Sequence, residues 1–188
     1  MPPKVKYNRE AILNAALGLV RTEGIGAVNA RAIAKVLGCS TQPLFREFQS
    51  MEQIKKELLM KAVEEYDAYI AHSAGLADSP YKGTGMAYLR YAKDDPELFK
   101  LLFMRDRVAE GTQDTSDDAN MTYILNLIMQ RTGYTPERAL RFHQHLWIFV
   151  HGLASMIATR YLAFDEGRLS ELLTDEFEAT KRLYDQQR

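Results

Sequence analysis

Asn29-Ala-Arg-Ala-Ile-Ala-Lys-Val-Leu-Gly38-Cys-Ser-Thr-Gln-Pro-Leu-Phe-Arg-Glu-Phe48 reads as two short helices around a tight turn. Ile33, Ala34 and Leu37 make an apolar patch at helical spacing. Gly38 ends that helix, because glycine reaches positive φ without a Cβ penalty. Ser40 restarts the chain as an N-cap, and Leu44, Phe45 and Phe48 supply the next inward face. The pattern is that of a helix-turn-helix, which lays its second helix in the DNA major groove with its first residues toward base edges.

Upstream, Asn8 is a good N-cap for a helix running to about Thr22, with Ile12, Leu13, Ala16, Leu17 and Val20 as its buried stripe and Gly24 as its stop. Asn29 caps the second helix. The third spans about Thr41 to Phe48. Downstream, a long fourth helix covers about Met51 to Ser73, with Ile54, Leu58, Leu59, Ala62, Val63, Tyr66, Tyr69 and Ile70 on a broad apolar face; at ~1.5 Å per residue it reaches roughly 35 Å.

This layout resembles the tetracycline-repressor-like (TetR) family of bacterial regulators. The resemblance runs from about Arg9 to Leu59 through Arg9-Glu10-Ala11-Ile12-Leu13, Ala15-Ala16-Leu17, Gly24, Ile33-Ala34, Leu37-Gly38, Ser40, Leu44-Phe45, Phe48 and Leu58. It implies an N-terminal three-helix DNA-binding domain (1–50) joined through the long fourth helix to a ligand-binding and dimerisation domain (51–188). Three positions depart from the family pattern: Phe45 replaces the usual tyrosine, Glu47 the usual histidine, and Met51 a common lysine. Together they remove up to three phosphate contacts, for which Lys55 and Lys56 can compensate.

Composition agrees with a folded protein. The 188 residues are 46% hydrophobic and 26% charged, and no apolar run approaches the ~20 residues that span a bilayer. Lys4 and Lys6 near the N-terminus precede no hydrophobic segment, so no secretory signal is expected. Cys39 is the lone cysteine, which excludes an intrachain disulfide framework, and the cytoplasm is the expected location. A net charge of −1 conceals an uneven distribution: residues 1–60 carry nine Lys/Arg against five Glu, and the remainder 15 basic against 20 acidic residues. A basic head on an acidic body is expected where one end meets phosphate.

The remaining chain reads as helices throughout, for an all-α protein of about nine. Residues 74–85, with Gly75, Pro80, Gly83 and Gly85, read as a loop. A fifth helix is expected over Met86 to Lys93, a sixth from Pro96 to Met104 with its proline in the first turn, and a mobile acidic loop over 106–119. The seventh spans Asn120 to Arg131, the eighth Thr135 to about Ala163, and the ninth Leu169 to Tyr184.

At the head of the third helix Ser40, Thr41, Gln42 and Pro43 are the candidate base readers. Gln42 can pair bidentately with adenine, while Thr41 and Pro43 suit a thymine methyl. Arg46, Arg31, Lys4, Lys6, Lys55 and Lys56 are candidates for phosphate, with Asn29 and Phe45 completing the expected surface.

In the C-terminal region, aromatic and methionine residues recur along helices. The resemblance implies a cavity among helices four to eight, for which Tyr66, Tyr69, Met86, Phe99, Phe103, Tyr123, Leu127, Trp147 and His151 are the candidate lining. Flexible methionines and amphipathic tyrosines suit a small hydrophobic or amphipathic effector. Trp147-Ile148-Phe149-Val150-His151-Gly152 also resembles a Trp-x-x-x-His-Gly signature in the sensor domains of one branch of the family. Each of these residues taken singly also fits plain core packing.

His143 and His151 share a helix stripe but lie eight residues apart, His145 points elsewhere, and no carboxylate sits at i+4. A divalent metal site needs three or four convergent ligands, so no metal and no cofactor is expected. The eighth helix is apolar nearly all round, and the ninth has a stripe. Phe149, Leu153, Met156, Leu169, Leu172, Leu173 and Phe177 are therefore the candidate face of a homodimer, which would read a palindromic double-stranded operator.

An enzyme is not expected, since there is no Gly-rich phosphate loop, no G-x-S-x-G and no base beside Cys39. The expected function is a ligand-responsive transcriptional regulator, most simply a repressor. The alternative is a DNA-bound architectural or regulatory protein without a small-molecule ligand.

Overall fold

The structure, a computed structural model, describes residues 7–74, 79–106 and 119–186. Among these residues the regular elements are nine α-helices and one short 3₁₀ turn, with no strand. The helices are α1 (Arg9–Glu23), α2 (Ala30–Leu37), α3 (Gln42–Glu47), α4 (Met51–Ala74), α5 (Pro80–Asp94), α6 (Pro96–Phe103), α7 (Ala119–Thr132), α8 (Pro136–Ala158) and α9 (Glu166–Gln186). The 3₁₀ turn, Ile25–Ala27, joins α1 to α2 and carries no signal that the sequence reading used. No helix among the described residues is long and apolar enough to cross a membrane. The acidic segment 107–118, Lys4 and Lys6 lie outside the described residues.

The chain forms two compact units. One comprises Met1–Ala68 with Asp95–Arg105, the other Tyr69–Asp94 with Asp106–Arg188. In the first, the polar groups at the helix starts decide where α1 and α2 begin. The Asn8 side chain accepts from Ala11 N–H at 2.9 Å, and Asn29 accepts from Ala32 N–H at 3.0 Å. Each satisfies an amide that the helix itself leaves without a partner. Gly24 ends α1 at φ 80° and ψ 171°, a backbone region essentially reserved for glycine. A Cβ there would stand 2.9 Å from the Glu97 carboxylate of α6, so the same glycine also lets α6 come close. Ile12, Ile33, Leu44, Ile54, Leu58, Leu98 and Phe99 are fully buried and constitute the core of this unit.

The second unit is built around α8. Phe142 meets Tyr134, Phe177 and Tyr184 edge-on, with ring centroids 5.4 to 5.6 Å apart, an arrangement that sets positive ring edges against negative faces. Ile128, Ala139 and Leu146 complete this cluster. The Tyr134 hydroxyl donates to Asp185 at 2.8 Å, and Thr135 caps α8 through Arg138 N–H.

Several expected boundaries shift. Helix α5 begins at Pro80, six residues before the expected start, and takes Gly83 and Gly85 into its interior. Those glycines look like loop residues in sequence, but Gly85 has a packing reason: an added Cβ would lie 3.3 Å from Leu173 Cδ1 of α9. Helix α8 stops at Ala158, five residues short of expectation, where Arg160 takes a left-handed φ of 58°. Ser40 is not the cap of α3. Thr41 occupies that position with right-handed α backbone and no side-chain capping bond, and its carbonyl accepts from Leu44 N–H at 3.2 Å.

Two histidines of α8 face tyrosines of α5. Tyr81 Oη lies 3.1 Å from His143 Nδ1, and Tyr88 Oη 2.9 Å from His151 Nδ1. Burial holds His143 neutral, with its pKa lowered from 6.5 to about 4, and pushes the Tyr81 hydroxyl upward. Because the folded pKa lies below the unfolded one, the unfolded chain binds more protons between these values. The stability from His143 is complete above pH 6.5 and is lost as pH falls toward 4, a difference of about 3 kcal/mol at full extent. His143→Gln, whose amide can either donate to or accept from Tyr81, should flatten the fall in melting temperature across this window. An unchanged profile would show that His143 does not govern it.

Candidate nucleic-acid interface

The α2–turn–α3 segment presents the expected geometry. Gly38 adopts the left-handed conformation at φ 66°, ψ 40°. Its N–H donates to Lys35 O at 3.2 Å, and Cys39 N–H donates to Ala34 O at 3.0 Å. These bonds satisfy the last carbonyls of α2 and reverse the chain within a few residues. Ile33, Ala34, Leu44 and Phe48 face inward and are buried. The opposite side of α3 is thereby left outward: Ser40, Gln42, Phe45 and Arg46 are exposed, and Thr41 and Pro43 half-buried. Gln42 and Pro43 are the first two residues of α3, where a missing proline N–H costs nothing.

Arg31, Asn29, Lys55 and Lys56 are exposed in the same unit. The structure therefore places ten of the expected DNA-facing residues within one unit, and the other two, Lys4 and Lys6, lie outside the described residues. Phe45 is nearly half exposed, at 48%, so it is not part of the inward face assigned to it by spacing.

One contributor to this surface was not assigned a role from sequence. The Arg9 guanidinium donates to Glu57 on α4 through Nε at 2.8 Å and through a second nitrogen, and to the Glu47 carbonyl at the end of α3 at 2.5 Å. It also lies 4.2 Å over the Phe48 ring. Glu57 accepts from Gln53 as well, and Arg9 holds its carboxyl below the usual carboxylate range.

The candidate effector residues divide between the two units. Tyr66, Phe99 and Phe103 belong to the first, where Tyr66 meets Phe103 edge-on at 5.0 Å and Phe103 lies 5.1 Å from Phe99. Phe99 is fully buried and serves that unit's core. Tyr69, Met86, Tyr123, Leu127, Trp147 and His151 belong to the second. Tyr69 packs against Tyr91 at 5.2 Å and donates to Asp94 at 2.9 Å; its pKa is raised to about 12, first by burial and then by that carboxylate. Met86 is buried, Leu127 half-buried and Tyr123 exposed. Trp147, 45% exposed, stacks on His151 with a centroid separation of 4.9 Å and an interplanar angle of 16°. Among the described residues no group of three or more His, Cys, Asp or Glu could hold a metal ion.

The expected assembly face also divides. Leu169 and Leu173 are buried within the chain, and Phe177 packs on Phe142 and Tyr81. The α9 stripe therefore packs against its own unit, which takes Leu169 and Leu173 from an outward face and leaves Phe177 partly buried. Leu153 is likewise buried. What α8 exposes is a different stripe: Ile148 at 64%, Met156 at 39%, half-buried Phe149, and Gly152, beside whose Cβ position nothing lies within 4 Å. Leu172 is half-buried.

Comparison with known proteins agrees with this geometry. Residues 12–58 match the model of bacterial regulatory proteins of the tetR family, and residues 82–178 match that of the tetracyclin repressor-like C-terminal domain. Among solved structures, a tetR family transcription regulator from Shewanella sp. PV-4 superimposes with a TM-score of 0.54 at 21% identity, over 93% of this chain and 94% of that one. The flavonoid-responsive regulator FrrA gives 0.50 at 18% identity, over 93% of each chain. No curated protein matches the chain in sequence.

Proposed function

We propose that this chain, which belongs to the tetR family of bacterial regulatory proteins, is a homodimeric repressor released from a palindromic operator by a small hydrophobic effector. The observation that carries base reading is the orientation of α3, which buries Leu44 and leaves Gln42 and Arg46 outward at the head of a unit bearing the chain's excess of basic charge. Residues 1–50 then serve as the reading head and 51–188 as the sensing and assembly part. Gln42 reads an adenine edge, Thr41 and Pro43 meet thymine methyls, and Arg46, Arg31, Lys55 and Lys56 meet phosphates.

The effector is assigned to the Trp147–His151 region of the second unit, together with Met86, Tyr123 and Leu127. An exposed indole stacked on an imidazole offers a planar apolar wall with a polar edge. FrrA, a regulator named for its response to flavonoids, supports the reading that this fold accommodates planar effectors. Effector binding favours a dimer state with weaker operator affinity, and by linkage the operator weakens effector binding equally.

Dimerisation is assigned to the exposed stripe of α8, where Gly152 leaves room for a partner helix. The exposed apolar Ile148 and Met156 flank it on the same stripe.

Each element has its own measurement. Gln42→Ala should weaken operator binding by ~1–3 kcal/mol and relax preference at one base position, whereas Arg46→Ala should weaken all duplexes alike and reduce the salt slope. Equal losses on operator and random duplex for both variants would refute the base-reading assignment. Ile148→Asp should give monomers by sedimentation and lose most operator affinity; a wild-type monomer at micromolar concentration would end the dimer proposal. In a panel of planar hydrophobic compounds, a true effector should quench Trp147, release the operator and, at one hundred times its Kd, add ~2.7 kcal/mol of stability. A compound that releases DNA without changing Trp147 emission or its response to Trp147→Phe would place the effector site elsewhere.

A further inference from the structure

We propose that Arg9 and Glu57 are positioning residues that set the angle of α3 against the DNA, rather than phosphate contacts or simple stabilisers of the head. This rests on the reading of α3 as the base-reading helix.

Helix α3 has six residues and no side-chain cap at its start. So short a helix cannot fix its own orientation, and the groups at its far end acquire that task. At that end the Arg9 guanidinium engages three partners at once. It donates to the Glu47 carbonyl, one of the terminal acceptors that α3 leaves without an intrahelical donor. It covers the Phe48 ring, the residue immediately after the helix. Its other nitrogens form a two-pronged pair with Glu57, two turns into α4. The planar fork fixes direction as well as distance, which a lysine ammonium cannot do. Gln53, one turn before Glu57, donates to the same carboxylate and holds it in place. The carboxyl end of α3 is therefore referred to α4 through one guanidinium.

The same helix provides an internal comparison. Arg21, near the other end of α1, binds Glu65 of α4 at 2.6 Å and Asp95 at 2.8 Å. It pairs two acidic side chains where Arg9 pairs one, and it is similarly exposed, at 44% against 41% for Arg9. Neither of these two partners of Arg21 belongs to α3. If both arginines only stabilised the unit, removing either would have equivalent consequences for DNA recognition.

The experiment measures the ratio of operator to random-duplex affinity for the full chain by fluorescence anisotropy, using an operator selected from a random pool by the wild-type protein. Values are normalised to active fraction, and melting temperatures are recorded in parallel. Glu57→Gln is the decisive variant, because it removes one negative charge from the DNA-binding unit. If Arg9 and Glu57 acted only through charge, this change would raise affinity for every duplex. The proposal expects the opposite on the operator: a loss of about tenfold or more in the ratio, with random-duplex affinity equal or higher. Arg9→Lys, which keeps the charge and loses the fork, should show the same selective loss. Arg21→Gln should leave the ratio within about twofold while lowering the melting temperature comparably.

An unchanged ratio in Glu57→Gln and Arg9→Lys, alongside a reduced ratio in Gln42→Ala, would overturn the positioning role and leave the reading of α3 standing. An unchanged ratio in Gln42→Ala as well would overturn both. Equal losses of ratio in Arg21→Gln and Glu57→Gln would also overturn the proposal, since they would show general loosening of the unit.

Discussion

Helices of eight and six residues do not persist in water by themselves, because the cost of nucleating each is met only by packing. That constraint governs the DNA-binding unit. Helices α2 and α3 exist as helices because Ile33, Ala34, Leu44 and Phe48 are buried together with Ile12 of α1 and Ile54 and Leu58 of α4. The left-handed turn at Gly38 allows both inward faces to reach one core. Once those faces are committed, Gln42 and Arg46 are left outward, so the surface proposed to read DNA is the complement of the core.

The local rules were therefore legible in the sequence and the long-range ones were not. Asn8, Asn29 and Thr135 cap helices as their residue types predict, and Gly24, Gly38 and Gly133 take positive φ at helix ends. Gly83 and Gly85 misled because glycine signals a turn locally, while the reason for Gly85, the approach of Leu173, lies 88 residues away. The α9 stripe was visible as a buried face, but periodicity says that a face is covered and not by what. Leu169 and Leu173 proved to be covered within their own unit, and Phe177 partly so. Arg9 and Glu57 gave no local signal either, being ordinary helix-surface charges 48 positions apart until the fold joins them.

In the second unit the polar groups are as specific as the apolar ones. Two tyrosine–histidine pairs link α5 to α8, one at the buried His143 and one beside the stacked indole of Trp147. A buried hydrogen-bonded pair adds little net stability, yet a sliding of one helix along the other would break it at full desolvation cost. The two pairs are separated by seven residues on α5 and eight on α8, about two turns on each. They thus fix register where Ala87, Leu89, Ala92 and Ala154 would tolerate several.

The return of residues 95–105 to the first unit also bears on how the protein is made. The unit that carries α3 is not contiguous in sequence: Leu98, Phe99 and Leu102 of α6 are part of its buried interior, and Glu97 of α6 stands close by Gly24. During synthesis, residues 9–68 emerge before these side chains exist as a chain, and a ribosome-bound nascent head has an unfilled apolar side. Completion of the head waits on α6, which follows the whole of α5. A gene fragment ending after α4 therefore encodes α1 to α4 without the α6 side chains that complete their interior, and the two units are bound to a common order of birth.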